Sequence, residues 1–156
     1  MSHAITLLDW IGPHGGHPDL DHDVRAAAMS MLDRVNVLLV VAASDGHQFA
    51  TNPKTGTLVS GTLYGGFRPG GCVIGAKASK HKTGHAVDVF DPARRFAEWC
   101  ARNLDQLEQV GLWSEDWRWT PTWVHLQDIP PGSGRRVYVP STEPPLAAAV
   151  PGQVLA

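Results

Sequence analysis

Two histidines and one aspartate are the residues of this sequence best suited to bind a metal ion. His81 lies in a turn rich in lysine and glycine, Asp88 follows seven residues later in an apolar stretch, and His125 lies 44 residues beyond His81. Two imidazoles and one carboxylate form a three-ligand set that leaves the fourth position of a tetrahedral zinc ion open to water. Such a set is typical of catalytic zinc, so we expect zinc chemistry at these residues.

Two short strands are predicted to position these side chains. Residues 85–90 form an apolar run, and residues 122–127 alternate in polarity, so that Trp123, His125 and Gln127 share one face. Residues 57–60 and 137–139 are predicted to add two further short strands. We therefore expect a small, mainly antiparallel sheet with the metal site at one edge.

Two main helices are predicted to pack on this sheet. Apolar residues recur at spacings of three and four from residue 24 to residue 42, with Asp21 or Asp23 as the cap at the start. A second apolar stripe covers residues 96–110, after Asp91-Pro92 as cap and first helical residue and before Gly111 as a left-handed C-terminal cap. The predicted class is α+β.

The length and charge of the chain bound its organisation and its partners. It has 156 residues and a formal charge of −2, which suits one domain over residues 1–140 and a Pro/Ala-rich tail over 141–156. With this charge the chain lacks the excess of basic residues that binding to nucleic acid requires. The apolar run at residues 37–43 is shorter than the ~20 residues that span a bilayer, and the N-terminus lacks the pattern of a signal peptide. We expect a monomer made in the cytoplasm, with no membrane insertion.

The histidine segments resemble the paired motif of a known enzyme family. The pattern Ser-x-His-x-x-Gly-x-Ala-x-Asp at residues 79–88, with Trp-x-His at residues 123–125, is similar to that of the zinc D-alanyl-D-alanine carboxypeptidases and L-alanyl-D-glutamate peptidases. These share a fold with the signalling domain of hedgehog. The resemblance covers roughly residues 24–138, and the segment 64–69 looks like members encoded by phages and prophages, which implies an endolysin role in lysis or wall entry.

The resemblance assigns roles to individual residues. It implies that His81, Asp88 and His125 bind zinc. It places Arg68 in the catalytic site, where its fork would hold the carboxylate of a peptide substrate. Ser79 is implied to bond either near the metal-binding turn or to substrate. Four tryptophans between residues 113 and 123 are mostly expected to pack in the core, with Trp123 lining the substrate groove.

One position departs from the family pattern. The family carries a catalytic carboxylate three residues before the last histidine, where this chain has Thr122. Threonine cannot exchange a proton near neutral pH as a tuned carboxylate does. The nearest acids are Glu115, which we favour as the general base, then Asp116, and third Asp128.

The implied function is a zinc metallopeptidase that hydrolyses stem peptides of peptidoglycan, as a carboxypeptidase or an endopeptidase. A peptidoglycan peptide is the implied partner, and the protein would act on the cell wall once released. The alternative is a non-catalytic, zinc-stabilised module that binds peptidoglycan or serves in a phage particle. The threonine at position 122 is the best support for that alternative.

Other polar residues are expected to have structural roles. His85 faces away from Asp88 if both lie in one strand, so it is not expected to be a ligand. Three histidines between residues 14 and 22 alternate with aspartates, where a polar loop and helix cap are favoured over a second metal site. The cysteines are expected to be free and packed, and Arg135 and Arg136 to be a solvated pair.

Overall fold

A computed structural model describes residues 3–140 of the chain. The tail predicted for residues 141–156 lies outside the described residues. In chain order the elements are α1 (Leu7–Ile11), α2 (His22–Ser44), β1 (Ala86–Phe90), α3 (Arg95–Arg102), α4 (Leu104–Val110), β2 (Trp113–Glu115), β3 (Trp123–Gln127) and β4 (Val137–Tyr138). Two short 3-10 helices lie at Gly12–His14 and Lys80–Thr83.

The four strands form one sheet in the order β1-β3-β2-β4. The β1–β3 and β2–β3 pairs are antiparallel, whereas β2 and β4 are parallel. The α+β class is therefore confirmed, but the sheet is mixed. The expectation of two main helices is wrong in number, because the described residues contain four, of which α2 is much the longest. The hedgehog-like fold stays a prediction.

Helix α2 begins and packs as its sequence pattern predicts. The side chain of Asp21 accepts a hydrogen bond from the backbone N of Val24 and caps the first turn. Seven residues of α2 are buried and contribute to the hydrophobic core. By length and composition alone α2 would qualify as a membrane span, a test that buried core helices also pass. The absence of membrane insertion stays a prediction.

The predicted second helix is in fact two helices. Asn103 has φ −130° and ψ 45°, which ends α3, and α4 begins at the next residue. The side chain of Asn103 donates to the carbonyl of Trp99 at 2.8 Å and satisfies a carbonyl at that break. Gly111 has φ 70° and ends α4 as the expected left-handed cap.

The start of α3 differs from the prediction because Asp91 acts over a longer distance. The helix begins at Arg95 and follows a turn in which Arg94 has φ 60°. Asp91 is buried, and its two carboxylate oxygens accept from the backbone N of Phe96 at 3.1 Å and of Ala97 at 2.9 Å. Asp91 therefore satisfies two N–H groups of the first turn without being the adjacent capping residue.

The predicted strand at residues 57–60 is wrong. Only isolated bridges occur there, including one between Val59 and Val89. The segment follows the outer edge of β1 irregularly, with the N of Phe90 donating to the carbonyl of Leu58 at 2.7 Å. Nearby prolines and glycines break a regular ladder, yet the segment still covers an edge that would otherwise be exposed.

One face of the sheet packs on the helices and the other carries polar side chains. The inner face contributes apolar residues of β1 and β3 to the core that also contains the buried face of α2; they are Val87, Val89, Val124 and Leu126. Both cysteines are free, with Cys100 buried in that core. The alternate residues of the strands point to the opposite face, where the candidate metal ligands Asp88 and His125 lie.

We predict that Asp91→Ala destabilises the protein by about 2 kcal/mol, since it removes two bonds at the start of α3 and leaves buried N–H groups without acceptors. The measurement is urea unfolding followed by circular dichroism. Asp105→Ala is the matched control, because Asp105 is exposed in the first turn of α4 and caps nothing there. Equal stability of the two variants would contradict the capping role of Asp91.

Candidate metal centre

A row of four polar side chains crosses the outer face of the sheet. Asp88 on β1 lies directly opposite His125 on β3. The antiparallel register of β2 and β3 brings Glu115 level with His125 on the other side, and Glu115 pairs with Tyr138 on β4. Because residues paired across strands point to the same face, these four side chains share one surface, which we call the polar row.

His81 reaches the same surface from the 3-10 helix before β1. The helix begins after Ser79, whose Oγ accepts from the backbone N of His81 at 3.3 Å. It ends at Gly84, which has φ 87°. A Cβ atom on Gly84 would lie 2.5 Å from the carbonyl oxygen of Val24 in α2. The motif needs glycine here because the backbone is left-handed and packs directly against α2.

Three ligand atoms converge at the end of the polar row. Asp88 Oδ1 lies 3.2 Å from His81 Nε2 and 3.0 Å from His125 Nδ1. The two ring nitrogens are 3.3 Å apart, and all three residues are buried. Within residues 3–140 this is the one such group with geometry that could hold a metal ion. The metal-ligand set predicted from the sequence is thus brought together.

The outer hydrogen bonds of the two imidazoles aim their free nitrogens at this point. His81 Nδ1 lies 2.8 Å from the carbonyl oxygen of Gly66. Since a carbonyl only accepts, Nδ1 carries the proton and Nε2 has a lone pair. His125 Nε2 lies 2.8 Å from Oε1 of Gln127, which leaves Nδ1 to face the centre. Such outer partners typically orient metal-binding histidines.

The orientation of the Gln127 amide follows from its other contacts. Its Nε2 donates to the carbonyl of Ile129 at 2.7 Å, so Oε1 is the acceptor toward His125. The hydroxyl of Tyr138 also donates to Oε1, at 2.6 Å. Gln127 bonds to the candidate ligand His125, and Tyr138 bonds to Gln127, but the sequence analysis assigned neither residue to the site. Alternation along β3 placed Gln127 beside His125, but nothing in the sequence signalled the parallel pairing that brings in Tyr138.

The charges of the group are strongly coupled. Burial disfavours the charge of Asp88, but His81 and His125 outweigh burial and hold the pKa of this carboxyl well below its usual range. Burial lowers the pKa of His81, which is therefore neutral. Burial also opposes charge on His125, yet its hydrogen bond to Asp88 and the charges of Glu115 and Asp88 raise its pKa to about 9. Without a metal, the imidazole of His125 is therefore protonated at neutral pH.

Arg68 donates to the second oxygen of Asp88, so its guanidinium group is not free to bind a substrate carboxylate. Its Nη2 donates to Asp88 Oδ2 at 3.2 Å, and its Nε donates to the carbonyl of Tyr64 at 2.8 Å. Its Nη1 has longer contacts with the carbonyl of Ile74 and with Ser79 Oγ. Arg68 therefore orients Asp88 from behind the site. Substrate binding by Arg68 stays a prediction that would require these bonds to rearrange.

Ser79 and Trp123 differ in how they meet the site. Ser79 is buried, and its Oγ is engaged with His81 and Arg68, which favours its structural alternative. Trp123 is half-buried and lies two residues before His125 on the same face of β3. Trp123 is thus placed beside the metal group, and substrate contact by either residue stays a prediction.

Glu115 is the acid that the strand register places level with His125, on the neighbouring strand. Burial raises its pKa above the usual range, and the charges of His125, Asp88 and Arg68 act on it. Thr122, by contrast, is exposed and precedes β3. A half-buried carboxyl with a raised pKa next to a candidate metal-binding group is suited to accept and return protons.

The other acids considered as the base have different partners. Asp116 is paired with Arg118 through contacts of 2.9 and 3.0 Å, and the hydrogen bond from Arg118 lowers its pKa. Asp128 lies 2.8 Å from Nδ1 of His85. His85 is thus engaged on the flank of the site and does not belong to the metal group.

The N-terminal histidines make ordinary loop contacts. His14 Nε2 bonds to the carbonyl of Leu63 at 2.6 Å, and its ring stacks on Tyr64. His17 Nδ1 accepts from the backbone N of Asp19 at 3.0 Å. These contacts tie the loop after α1 to the segment that leads to Arg68.

We predict that Gln127→Met lowers metal affinity about 10- to 100-fold, because His125 loses the acceptor that fixes its ring. Affinity is measured by competition with a chromophoric chelator. Gln109→Met on the exposed side of α4 is the control, and His125→Ala, which removes a ligand, sets the lower limit. An unchanged affinity in Gln127→Met would show that this bond does not orient the ligand.

We predict that metal binding at about pH 7 releases about one proton, because the metal requires neutral His125. The pKa of this imidazole is about 9 against an ordinary 6.5. Affinity therefore rises with pH up to about 9. In metal-free protein the same group stabilises the fold fully below about pH 6.5, and that stabilisation is lost as the pH rises through 9.

Calorimetry of metal binding in buffers of different ionisation enthalpy counts the released protons. Metal binding above about pH 9 is the internal control, since His125 is then largely neutral and little proton release is expected. Equal proton release at both pH values would mean that the proton comes from another group.

Comparisons with known proteins add no assignment to this geometry. No family model matches the chain, and neither the curated proteins nor the solved structures contain a match.

Proposed function

We propose that this protein is a zinc metallopeptidase that hydrolyses peptide bonds in the stem peptides of bacterial peptidoglycan. The observation that carries the proposal is the convergence of His81, Asp88 and His125, with a carboxyl-bearing residue level with the group on the next strand. Three protein ligands with an open fourth position are the usual composition of a catalytic zinc site.

The ligand set fits zinc in chemistry and in spacing. Zn–N bonds of 2.0–2.1 Å in a tetrahedron place neighbouring ligand atoms about 3.3 Å apart. The three atoms are 3.0, 3.2 and 3.3 Å apart. When bound, zinc would supply an activated water and polarise the carbonyl of the peptide bond. Nitrogen-rich ligation favours zinc over magnesium or calcium, which prefer oxygen.

Glu115 carries the proton transfers in the proposed reaction. Its carboxylate accepts a proton from the attacking water and then delivers it to the leaving amine nitrogen. Burial raises the pKa of Glu115, which makes both steps easier near neutral pH. Asp88 and Arg68 keep the ligands oriented, while Trp123 and Tyr138 border the surface on which the peptide lies.

The proposal of a peptidoglycan substrate is supported by the structural role of each residue in the motif that resembles the peptidase family. Each motif residue has a physical reason for its place: Ser79 begins the 3-10 helix, Gly84 ends it against α2, and Asp88 lies opposite His125. Ala86 is fully buried, and its carbonyl accepts from Nε1 of Trp10 at 2.8 Å. The motif and the site therefore coincide, as they would in a member of that peptidase family.

The placement of Glu115 favours the peptidase over a non-catalytic peptidoglycan-binding module. A structural metal site does not need a further, half-buried carboxyl beside its three ligands. Burial and the nearby charge of Asp88 raise the pKa of Glu115, a cost that catalysis would explain.

We predict that zinc-loaded Glu115→Gln binds metal as the wild type does but loses turnover about 10²- to 10⁴-fold. Mass spectrometry of peptidoglycan fragments after incubation measures turnover and names the bond cleaved. Asp116→Asn is the control, because Asp116 is paired with Arg118 and its neutralisation should leave the rate within about twofold of wild type.

A chelated sample should give no new fragments. If the metal-loaded wild type leaves the peptidoglycan fragments unchanged, the peptidase proposal is wrong and the binding module is favoured. Full turnover in Glu115→Gln would move the base to another residue.

A further inference from the structure

Arg136 is not the solvated residue that its sequence position suggests. Its neighbour Arg135 is exposed, whereas Arg136 is half-buried. The guanidinium carbon of Arg136 lies 4.3 Å from the ring centroid of Trp113, and its Nη1 donates to the carbonyl of Leu112 at 2.9 Å. The stacking and the bond hold the guanidinium in one orientation.

The strand register puts Arg136 on the same surface as the polar row. Tyr138 pairs with Glu115 on β2, so Arg136, two residues earlier, lies level with Trp113. Residues two apart in a strand share a face and are about 6.6 Å apart. The guanidinium therefore lies on the outer face, one step along the strands from Glu115.

Arg136 has a positive charge without an acidic partner. Arg68 is paired with Asp88, and Arg118 is paired with Asp116, but no carboxylate of residues 3–140 forms a salt bridge with Arg136. Nε1 of Trp113, beneath the guanidinium, is buried and lacks an acceptor within that same range. Buried donors normally have hydrogen-bond partners, so the surface around Trp113 and Arg136 has more donors than acceptors.

We propose that Arg136 binds a carboxylate of the peptide substrate, three to four residues from the bond that is cleaved. The inference rests on the proposed peptidase function. Two strand spacings and one two-residue step put the Cα atoms of Arg136 and His125 about 12 Å apart. An extended peptide covers ~3.3–3.6 Å per residue, so a substrate crossing the polar row reaches Arg136 with its third or fourth residue.

This assignment separates two roles that one arginine could not fill together. Arg68 spends its donors on Asp88 and nearby carbonyls, whereas Arg136 keeps donors free on a pre-oriented fork. A planar guanidinium fixed in advance binds a carboxylate through two parallel hydrogen bonds with little loss of side-chain freedom. Arg136 thus selects for acidic peptides and sets which bond faces the metal group.

The test compares Arg136→Met with Arg135→Met. Methionine keeps apolar packing on Trp113 but removes the charge. The probes are a synthetic stem pentapeptide with free carboxylates and the same peptide with its carboxylates converted to carboxamides. In the zinc-loaded enzyme, Arg136→Met should raise KM about tenfold for the acidic peptide, change kcat less than about twofold, and leave the carboxamide unaffected. Arg135→Met should match wild type.

A binding measurement separates this inference from the peptidase proposal. Calorimetry of the acidic peptide is run on zinc-loaded Glu115→Gln, with and without Arg136→Met. Binding that weakens about tenfold on loss of Arg136 supports the anchor even if no peptide is ever cleaved. Cleavage with equal KM in wild type and Arg136→Met overturns the anchor while the peptidase stands. Equal weakening for the acidic and carboxamide peptides, or no binding of either, also overturns it.

Discussion

The site depends on Asp88, because its two oxygens hold opposite parts of the fold together. Oδ1 lies 3.0 Å from His125 and 3.2 Å from His81, and Oδ2 lies 3.2 Å from Arg68. Its backbone is equally constrained, since its N donates to the carbonyl of Gly65 and its carbonyl accepts from Ser60. One buried carboxylate thus links the sheet, the 3-10 helix and the loop before it. A buried charge is tolerated only when it is paired in this way.

Close backbone approaches make that linkage possible. A Cβ on Gly66 would lie within 3 Å of three backbone atoms of Trp10, so only glycine lets this strand-like segment pass α1 and present its carbonyl to His81. Gly84 likewise lets the end of the 3-10 helix pack directly against the backbone of α2. The helices therefore do more than fill the core: they set the positions of two backbone segments, and those segments set the orientation of His81.

The metal ligands were predictable from the sequence, whereas their surroundings were not. The types and spacing of His81, Asp88 and His125 indicate a metal site only moderately on their own, and the resemblance to the peptidase motif is what makes this set specific. The buried stripe of α2 and the strand at residues 85–90 follow from periodicity, which depends on local sequence alone. The strand predicted at residues 137–139 is confirmed as β4, but the three-residue β2 was not predicted. Strand pairing is non-local, so nothing in the sequence indicated that β2 and β4 pair in parallel. The contacts of Gln127, Tyr138 and Arg136 all depend on that pairing.

The register also explains how a threonine can stand where the resembling family has its acid. Thr122 precedes β3 and is exposed. Glu115 reaches the face of His125 from the neighbouring strand, where the pairing itself holds it level with the imidazole. In the proposed peptidase the carboxylate therefore lies on the adjacent strand and not three residues before the last ligand. The position of the acid in space, and not its position in the motif, is what the chemistry requires.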